Sequence, residues 1–251
     1  MRRLILAGLL ICLCGAVAAA SAQLLTTHAG TAIPAGGGGG GGTIAFVNAV
    51  DGGNNGGSTN SLTYSYTATT GPHSLLVVCV AGDTSADDVT GVTYNSLPMT
   101  LAVKSIGTPT LRYTYIYYLV AASGWGGTSH SVVVSASTTH YLLSVIGEYS
   151  GVSQSSPFDA SAQGQNASGS TVSYDITTIA NNVWLMTCGA TNFPPITPST
   201  NTDNLRVNTG TYWNPTLLDH GAPITPAGTE TIGVNGGGGR VMGVTASFAP
   251  G

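Results

Sequence analysis

The chain has 251 residues, of which 42% are hydrophobic and only 6% are charged, and its formal net charge is −4. The apolar fraction is too high for a disordered chain. The few basic residues leave no patch that would bind nucleic acid or an anionic membrane surface. The length allows one large β domain or two small ones.

Residues 1–22 have the pattern of a signal peptide. A short basic start, Met1–Arg3, precedes an apolar stretch, and Ala20–Ala22 gives the small-x-small site that signal peptidase accepts. A transmembrane anchor is the rival interpretation, but no charged flank follows the stretch. We therefore expect a secreted protein, extracellular or at the cell surface, with no membrane insertion after cleavage at Gln23. The mature net charge is then 4 − 10 = −6.

Residues 23–42 form an N-terminal arm that ends in seven glycines, Gly36–Gly42. A run of glycines is a flexible tether and does not belong inside a packed element. The arm before it is either a disordered terminus or a strand that adds to a sheet edge of a neighbouring subunit. In the second case its assembly contacts would include the following apolar residues: Leu24, Leu25 and Ile33.

The body, residues 43–251, is predicted to be all-β. Its central strand is Ser74–Gly82, SLLVVCVAG, an apolar and largely β-branched run bounded by Gly-Pro and Gly-Asp. No segment after the signal peptide shows a long helical period. The other first-half strands are predicted at residues 62–67, 89–94, 99–104, 111–121, 130–136 and 140–149.

The second half of the body repeats the first. Aligning Cys79 with Cys188 places Asn182–Ala190, NVWLMTCGA, over the central strand, and residues 150–169 form the seam. The halves are thus about 43–160 and 161–251. A half that cannot bury its own apolar faces must pack on the other, which predicts one two-sheet β-sandwich of jelly-roll type with a pseudo-twofold repeat.

Several short motifs also carry a family resemblance. Four motifs follow one another in the first half: Leu75–Val78, a Tyr-rich strand, a Gly-Thr followed by Val132–Val134, and Glu148–Val152 before Pro157-Phe-Asp. Their order resembles that of a jelly-roll-like β-sandwich family. That family comprises secreted bacterial and phage-associated structural proteins, mostly uncharacterised. The resemblance covers Thr43 to Pro250 and implies the fold and a structural or binding role, without catalytic residues.

Two cysteines, Cys79 and Cys188, remain after signal-peptide cleavage. Export to an oxidising compartment would permit a disulfide between them. The alternative is a pair of small, buried, apolar thiols. The distance between the two Cα atoms decides between these alternatives, because a disulfide needs Cα atoms within roughly 7 Å of each other.

The loop after the central strand carries three carboxylates, Asp83, Asp87 and Asp88. Calcium prefers several oxygen ligands, and Thr84 and Ser85 could add to the set, although the spacing is not that of an EF-hand. The alternative is a solvated turn. Calcium is the one cofactor that the sequence suggests.

A row of tyrosines, Tyr113, Tyr115 and Tyr117, shares one face of a predicted strand. Such a row could stack on sugar rings or form a subunit interface. The alternative is that this face belongs to the core. The loops near Trp125 and Trp213 are a second candidate platform for a glycan. Asn166 begins a sequon for N-glycosylation, which matters only in a host that glycosylates its proteins.

Catalytic groups do not converge in the sequence. Glu148, Asp175 and Asp219 could supply paired carboxylates, but nothing fixes their separation. The five histidines are scattered, and Asp219-His220 has no obvious serine partner. We therefore expect no enzyme.

The composition, the export signal and the glycine tether together favour a non-enzymatic structural protein. It would self-assemble as a homo-oligomer or polymer into an extracellular filament or surface layer. The alternative is a carbohydrate-binding or adhesion module with glycans as partners.

Overall fold

The computed structural model describes residues 42–69, 71–106, 112–209 and 213–251. Every regular element in these ranges is a β-strand, which confirms the predicted all-β sandwich. Within them no helix has the length and apolar character needed to cross a bilayer. The proposed signal peptide and the arm residues Leu24, Leu25 and Ile33 lie outside the described residues.

The first half of the body forms two antiparallel sheets. Its described strands are β1 (Ala45–Asn54), β2 (Ser61–Thr67), β3 (Ser74–Gly82), β4 (Val89–Tyr94), β5 (Leu97–Pro98), β6 (Thr100–Lys104), β7 (Thr114–Ala121), β8 (Ser129–Ala136) and β9 (Leu142–Ser150). The first inner sheet has the order β1-β9-β3-β7-β6, and the first outer sheet has the order β2-β8-β4-β5.

The second half repeats this arrangement. Its described strands are β10 (Phe158–Asn166), β11 (Thr171–Thr177), β12 (Trp184–Thr191), β13 (Thr197–Pro198), β14 (Asn204–Asn208), β15 (Asn214–Asp219), β16 (Thr229–Asn235) and β17 (Val241–Phe248). The second inner sheet has the order β10-β17-β12-β15-β14, and the second outer sheet has the order β11-β16-β13. The strand orders of the two halves correspond, so the internal repeat is real.

Each half is a sandwich of its own, so the body has four sheets rather than the expected two. In each half the chain winds between inner and outer sheet in the order of a jelly roll. One apolar core fills the first sandwich, and another lies between the two inner sheets. Each half therefore covers the apolar faces inside its own sandwich. Contact with the other half is needed only to cover the face of each inner sheet that points away from its own outer sheet.

The continuous apolar run of β3 follows from its place between two cores. Leu76, Val78 and Val80 point into the first sandwich. Leu75, Val77 and Cys79 point the other way, into the interface between the inner sheets. Because successive side chains of a strand alternate between faces, a strand buried on both faces must be apolar throughout.

The repeat extends to a close backbone contact in each half. The Tyr64 ring lies over Gly52, and a Cβ built at that glycine would come within 2.5 Å of the ring. Tyr174 lies in the same way over Gly164. The Tyr64 hydroxyl is 2.9 Å from the Ser144 hydroxyl. Only glycine leaves room for the ring at these two positions.

Candidate functional site

The two inner sheets end in equivalent edge strands, β6 (TLAVK) and β14 (NLRVN). In β6 a bulge separates Leu101 from Val103 in the pairing with β7, and in β14 a bulge separates Leu205 from Val207 in the pairing with β15. Leu101 is 41% exposed and Leu205 is 44% exposed. Among the described residues, each strand is paired on one side only. The repeat thus presents the same unprotected edge twice.

These two edges lie on opposite flanks of the body. Strands β1 and β6 are the opposite ends of the first inner sheet. Across the interface, β6 packs against β10 and β14 packs against β1. A molecule with equivalent open edges on opposite flanks can contact two neighbours at once.

A shallow groove of about 600 Å³ lies beside the β6 edge. Strands β4, β5 and β6 form most of its wall, and its lining residues include Val89, Pro98, Met99, Leu101 and Tyr117. Leu97, in β5, is also 47% exposed. Apolar side chains grouped at a free edge mark an interaction surface more strongly than the same residues scattered singly.

The three loop carboxylates each have their own partner. Asp83 accepts a hydrogen bond from the Tyr141 backbone N–H at 3.1 Å. Asp87 pairs with Lys104 and accepts from the Tyr115 hydroxyl at 3.1 Å. In the part of the chain that the structure describes, no group of three or more His, Cys, Asp or Glu side chains is placed to hold a metal ion. Calcium binding stays a prediction.

Asp88 belongs to a buried cluster that the sequence did not suggest. Its Oδ2 accepts a hydrogen bond from the Thr138 hydroxyl and lies 3.1 Å from Nδ1 of His140. The cavity beside these side chains has no volume that a water molecule could occupy. An aspartate–histidine pair without room for a substrate ties the loop to the start of β9 rather than presenting a catalytic base.

The tyrosine row faces inward. Tyr115 and Tyr117 are buried in the core of the first sandwich, and Tyr113 is partly buried against it. Trp213 is also buried, with the Arg112 guanidinium 5.2 Å from its ring centre. The rings of Tyr115, Tyr117 and Trp213 therefore have no free face for a sugar. The other expected platform residue, Trp125, is half-buried and meets the Tyr94 ring edge-on.

Glu148 is a fully buried carboxylate in the first sandwich. It accepts hydrogen bonds from the Tyr66 hydroxyl at 3.2 Å, from the Thr69 hydroxyl at 2.6 Å, and from the Thr69 backbone N–H at 3.0 Å. Burial, and then the nearby carboxylate, raise the pKa of Tyr66 far above its usual value. The hydroxyl therefore stays protonated as a donor, and Glu148 closes the turn after β2.

The other two candidate carboxylates lie in different sheets from Glu148. Asp175, in β11, accepts a hydrogen bond from the Thr231 hydroxyl at 2.7 Å at an exposed position. Asp219, in β15, is buried at the interface between the inner sheets. The neighbouring His220 lies 2.9 Å from Asp203. The structure does not bring these carboxylates together as an acid–base pair.

One end of the interface carries a polar corner, formed by Phe46, Tyr149, Arg206 and Asp219. The Arg206 guanidinium donates two hydrogen bonds to Asp219, at 2.6 and 2.9 Å, and lies 4.2 Å from the Phe46 ring centre. The Tyr149 hydroxyl donates to Asp219 at 3.0 Å. Burial and the Asp219 charge hold the pKa of Tyr149 well above its usual value. The polar corner thus links the two halves.

The other end carries an aromatic corner, formed by Ala102, Tyr118, Phe158 and Phe248. Tyr118 meets Phe248 edge-on at 5.3 Å and stacks on Phe158 at 6.3 Å. The two corners occupy equivalent positions. Tyr118 pairs with Val77 of β3 as Asp219 pairs with Met186 of β12.

Cys79 and Cys188 face each other at the centre of the interface. Both are buried and carry free thiols. Burial, and then the nearby Cys79 thiol, raise the pKa of Cys188 well above its usual value. The alignment that the sequence suggested is correct in space, because both residues occupy the same core.

Asn166 uses its side chain to cap the turn between β10 and β11. Its amide nitrogen donates to the Thr171 carbonyl at 2.7 Å, and its oxygen accepts from the Ser168 and Gly169 backbone N–H groups at 3.1 and 2.9 Å. A glycan on this nitrogen would compete with the first contact. Glycosylation stays a prediction.

Comparison with known proteins gave no relative: no family model, no curated protein and no solved structure matches this chain. The resemblance to a jelly-roll-like family thus stays a prediction from the sequence.

Proposed function

We propose that this chain is a secreted, non-enzymatic structural protein whose copies assemble into an extracellular filament or surface layer. The observation that carries the proposal is the pair of equivalent open edges, β6 and β14, on opposite flanks. Each edge exposes a leucine at the same position, Leu101 or Leu205. Two self-complementary surfaces on opposite sides are what an open polymer requires.

Contact between copies would bury the exposed leucines and fill the groove beside β6. Full burial of an exposed leucine contributes about 1.5–3 kcal/mol. Leu101 and Leu205 are 41% and 44% exposed, so each would add less than half of that, and the neighbouring apolar groove would supply the rest. The mature chain has a low charge density, so repulsion between copies is weak. The bulge in each edge strand limits backbone pairing there to short segments, and side-chain contact therefore carries most of the interaction.

The alternative of a carbohydrate-binding module has less support. Its main platform, the tyrosine row, is packed in the core. Of the exposed aromatic rings among the described residues, Tyr141 lies in the first half and Phe193 in the second, while Phe158 is stacked on Tyr118. Glycan binding would become the leading hypothesis if the chain did not assemble.

The proposal is tested by light scattering and negative-stain imaging of the mature chain from Gln23, with leucine-to-lysine variants at the edges. We expect the parent to form large assemblies and the double variant Leu101→Lys/Leu205→Lys to be monomeric. If β6 of one copy contacts β14 of the next, each single variant stops growth. If like edges meet, each single variant leaves dimers.

A matched control is Ile179→Lys, since Ile179 is 78% exposed and follows β11 of the second outer sheet, which contains neither edge strand. This variant is expected to assemble as the parent does. A parent that stays monomeric at high concentration would contradict the proposal, and so would a double variant that assembles normally.

A further inference from the structure

The central strands of the two inner sheets place one cysteine each at the middle of their interface. Cys79 lies in β3 between Ile116 and Val145 of the neighbouring strands. Cys188 lies in β12 between Leu217 and Val244. All six side chains belong to one buried core. The two thiols therefore enter the same buried, apolar core from opposite sheets.

We propose that Cys79 and Cys188 form a disulfide that joins the two inner sheets when the chain folds in an oxidising compartment. Both thiols lie in one core, and β3 and β12 approach to within 8 Å between Cα atoms, which is close to the separation that a disulfide spans. This inference rests on the secretion that the proposed function includes, since a reducing compartment would keep both thiols free.

The oxidation balances as a thiol–disulfide exchange. Two S–H bonds are lost and one S–S bond forms, and the two protons pass through solvent to the two thiols that are formed from the oxidant. The two electrons reduce the disulfide of a dithiol oxidoreductase, or glutathione disulfide, to two thiols. The oxidant is an external protein or small-molecule disulfide of this class.

The bond must form while the sheets are still open. The thiolate is the attacking species, and in the folded chain both sulfurs are fully buried, so neither an oxidant nor a base can reach them. Burial also disfavours the thiolate of Cys188. We therefore expect the folded, reduced protein to oxidise far more slowly than a chain that refolds in the presence of glutathione disulfide.

The disulfide would restrict the unfolded chain strongly. The two cysteines are 188 − 79 = 109 positions apart, and closing a loop of this size removes much of the entropy of the unfolded chain. The loop spans the seam between the halves. Reduction is therefore expected to lower Tm by roughly 10 °C.

The test uses the full precursor, exported to a bacterial periplasm and purified without reductant. Thiols are counted in denaturant with a maleimide mass tag. We expect no free thiol, a mass about 2 Da below that of the reduced chain, and a peptide that links Cys79 to Cys188. The double variant Cys79→Ala/Cys188→Ala is the control, and its Tm is expected not to change with reductant.

A second arm refolds the reduced chain with glutathione disulfide, which tests the pairing independently of export. Two free thiols in the refolded monomer, or disulfides only between molecules, would overturn the inference. Failure of assembly does not affect this result, because a monomer with the internal disulfide contradicts only the self-assembly proposal. An assembled protein with two free thiols after both preparations contradicts only the disulfide.

Discussion

The polar corner and the aromatic corner place the same four backbone positions at opposite ends of one interface, with different chemistry. Where the polar corner has Arg206 and Asp219, the aromatic corner has Ala102 and Tyr118. The Tyr149 hydroxyl, which donates to Asp219, has no counterpart on Phe248. The same backbone arrangement therefore accepts either a buried ion pair or packed aromatic rings.

The difference between the corners shows which features the two halves share and which side chains can differ between them. Strand order, register and bulges are shared between the halves, because they follow from backbone pairing and apolar alternation. The side chains that close each corner are not shared. A buried ion pair adds little net stability over apolar packing but is costly to break. The polar corner should therefore be the more sensitive of the two to a single substitution.

The largest expected effect is that of Asp219→Ala. This change leaves the Arg206 guanidinium, whose side chain is only 20% exposed, without its partner and removes the acceptor of Tyr149. We expect the free energy of unfolding to fall by about 3–5 kcal/mol in urea denaturation. Asp203→Ala is the control, since Asp203 is 55% exposed, and its loss should stay within about 0.5 kcal/mol. A loss below about 1 kcal/mol at Asp219 would contradict this interpretation of the polar corner.

The next largest effect is the recovery of the stability that Asp219→Ala loses, brought about by replacing both partners of the ion pair. The double variant Arg206→Ala/Asp219→Tyr replaces the ion pair of the polar corner with the two residues that the aromatic corner has at the same positions, Ala102 and Tyr118. Since apolar replacement of a whole buried pair is often neutral, we expect its unfolding free energy to lie within about 1–2 kcal/mol of the parent, well above that of Asp219→Ala. Equal losses in the two variants would show that the two corners are not interchangeable.

A smaller effect is expected for Tyr149→Phe, which installs the residue found at Phe248. It removes one hydrogen bond to a charged, buried acceptor. Because Asp219 keeps its contacts with Arg206, we expect a loss near the low end for such bonds, about 1.5 kcal/mol, in urea denaturation. Tyr118→Phe, at the opposite corner, should cost less than about 0.5 kcal/mol because Tyr118 is partly exposed. Similar losses at both corners would argue against the special role of the Tyr149 hydroxyl.

The smallest effect is a pH dependence. The folded-state pKa of Tyr149 is raised above that of the unfolded chain, first by burial and then by Asp219. The stability from neutral Tyr149 is therefore complete below about pH 10 and is lost as the pH rises further. At pH 10.5 the parent should lose about 0.8 kcal/mol more than Tyr149→Phe, relative to pH 8. Parallel pH profiles for the two proteins would refute this assignment.

The sequence predicted much of the framework. The apolar run of β3 and its copy in β12 were aligned through Cys79 and Cys188, and that alignment is the one found in the interface. It succeeded because strands buried on both faces leave a continuous hydrophobic signal. The strand bounds were also close. For example, Val89–Tyr94 was expected and is β4.

The sequence did not predict the open edges β6 and β14 or the two corners. The shared Leu-x-Val of β6 and β14 is visible in the sequence, but the exposure of Leu101 and Leu205 depends on sheet order. Alternation placed the tyrosine row on one face of β7 without showing that this face meets the first outer sheet. The contact of Tyr149 with Asp219 joins two halves, so local pattern could not reveal it.

The most direct test of the central claim is the assembly state of the mature chain from Gln23 beside a chain that starts at Thr43. Sedimentation velocity at increasing concentration would measure both. We predict that the mature chain forms large assemblies. Assembly of the shorter chain as well would assign the contacts to the β6 and β14 edges, whereas a monomeric shorter chain would assign an essential contact to the arm. Monomers in both cases, at every concentration, would contradict the account.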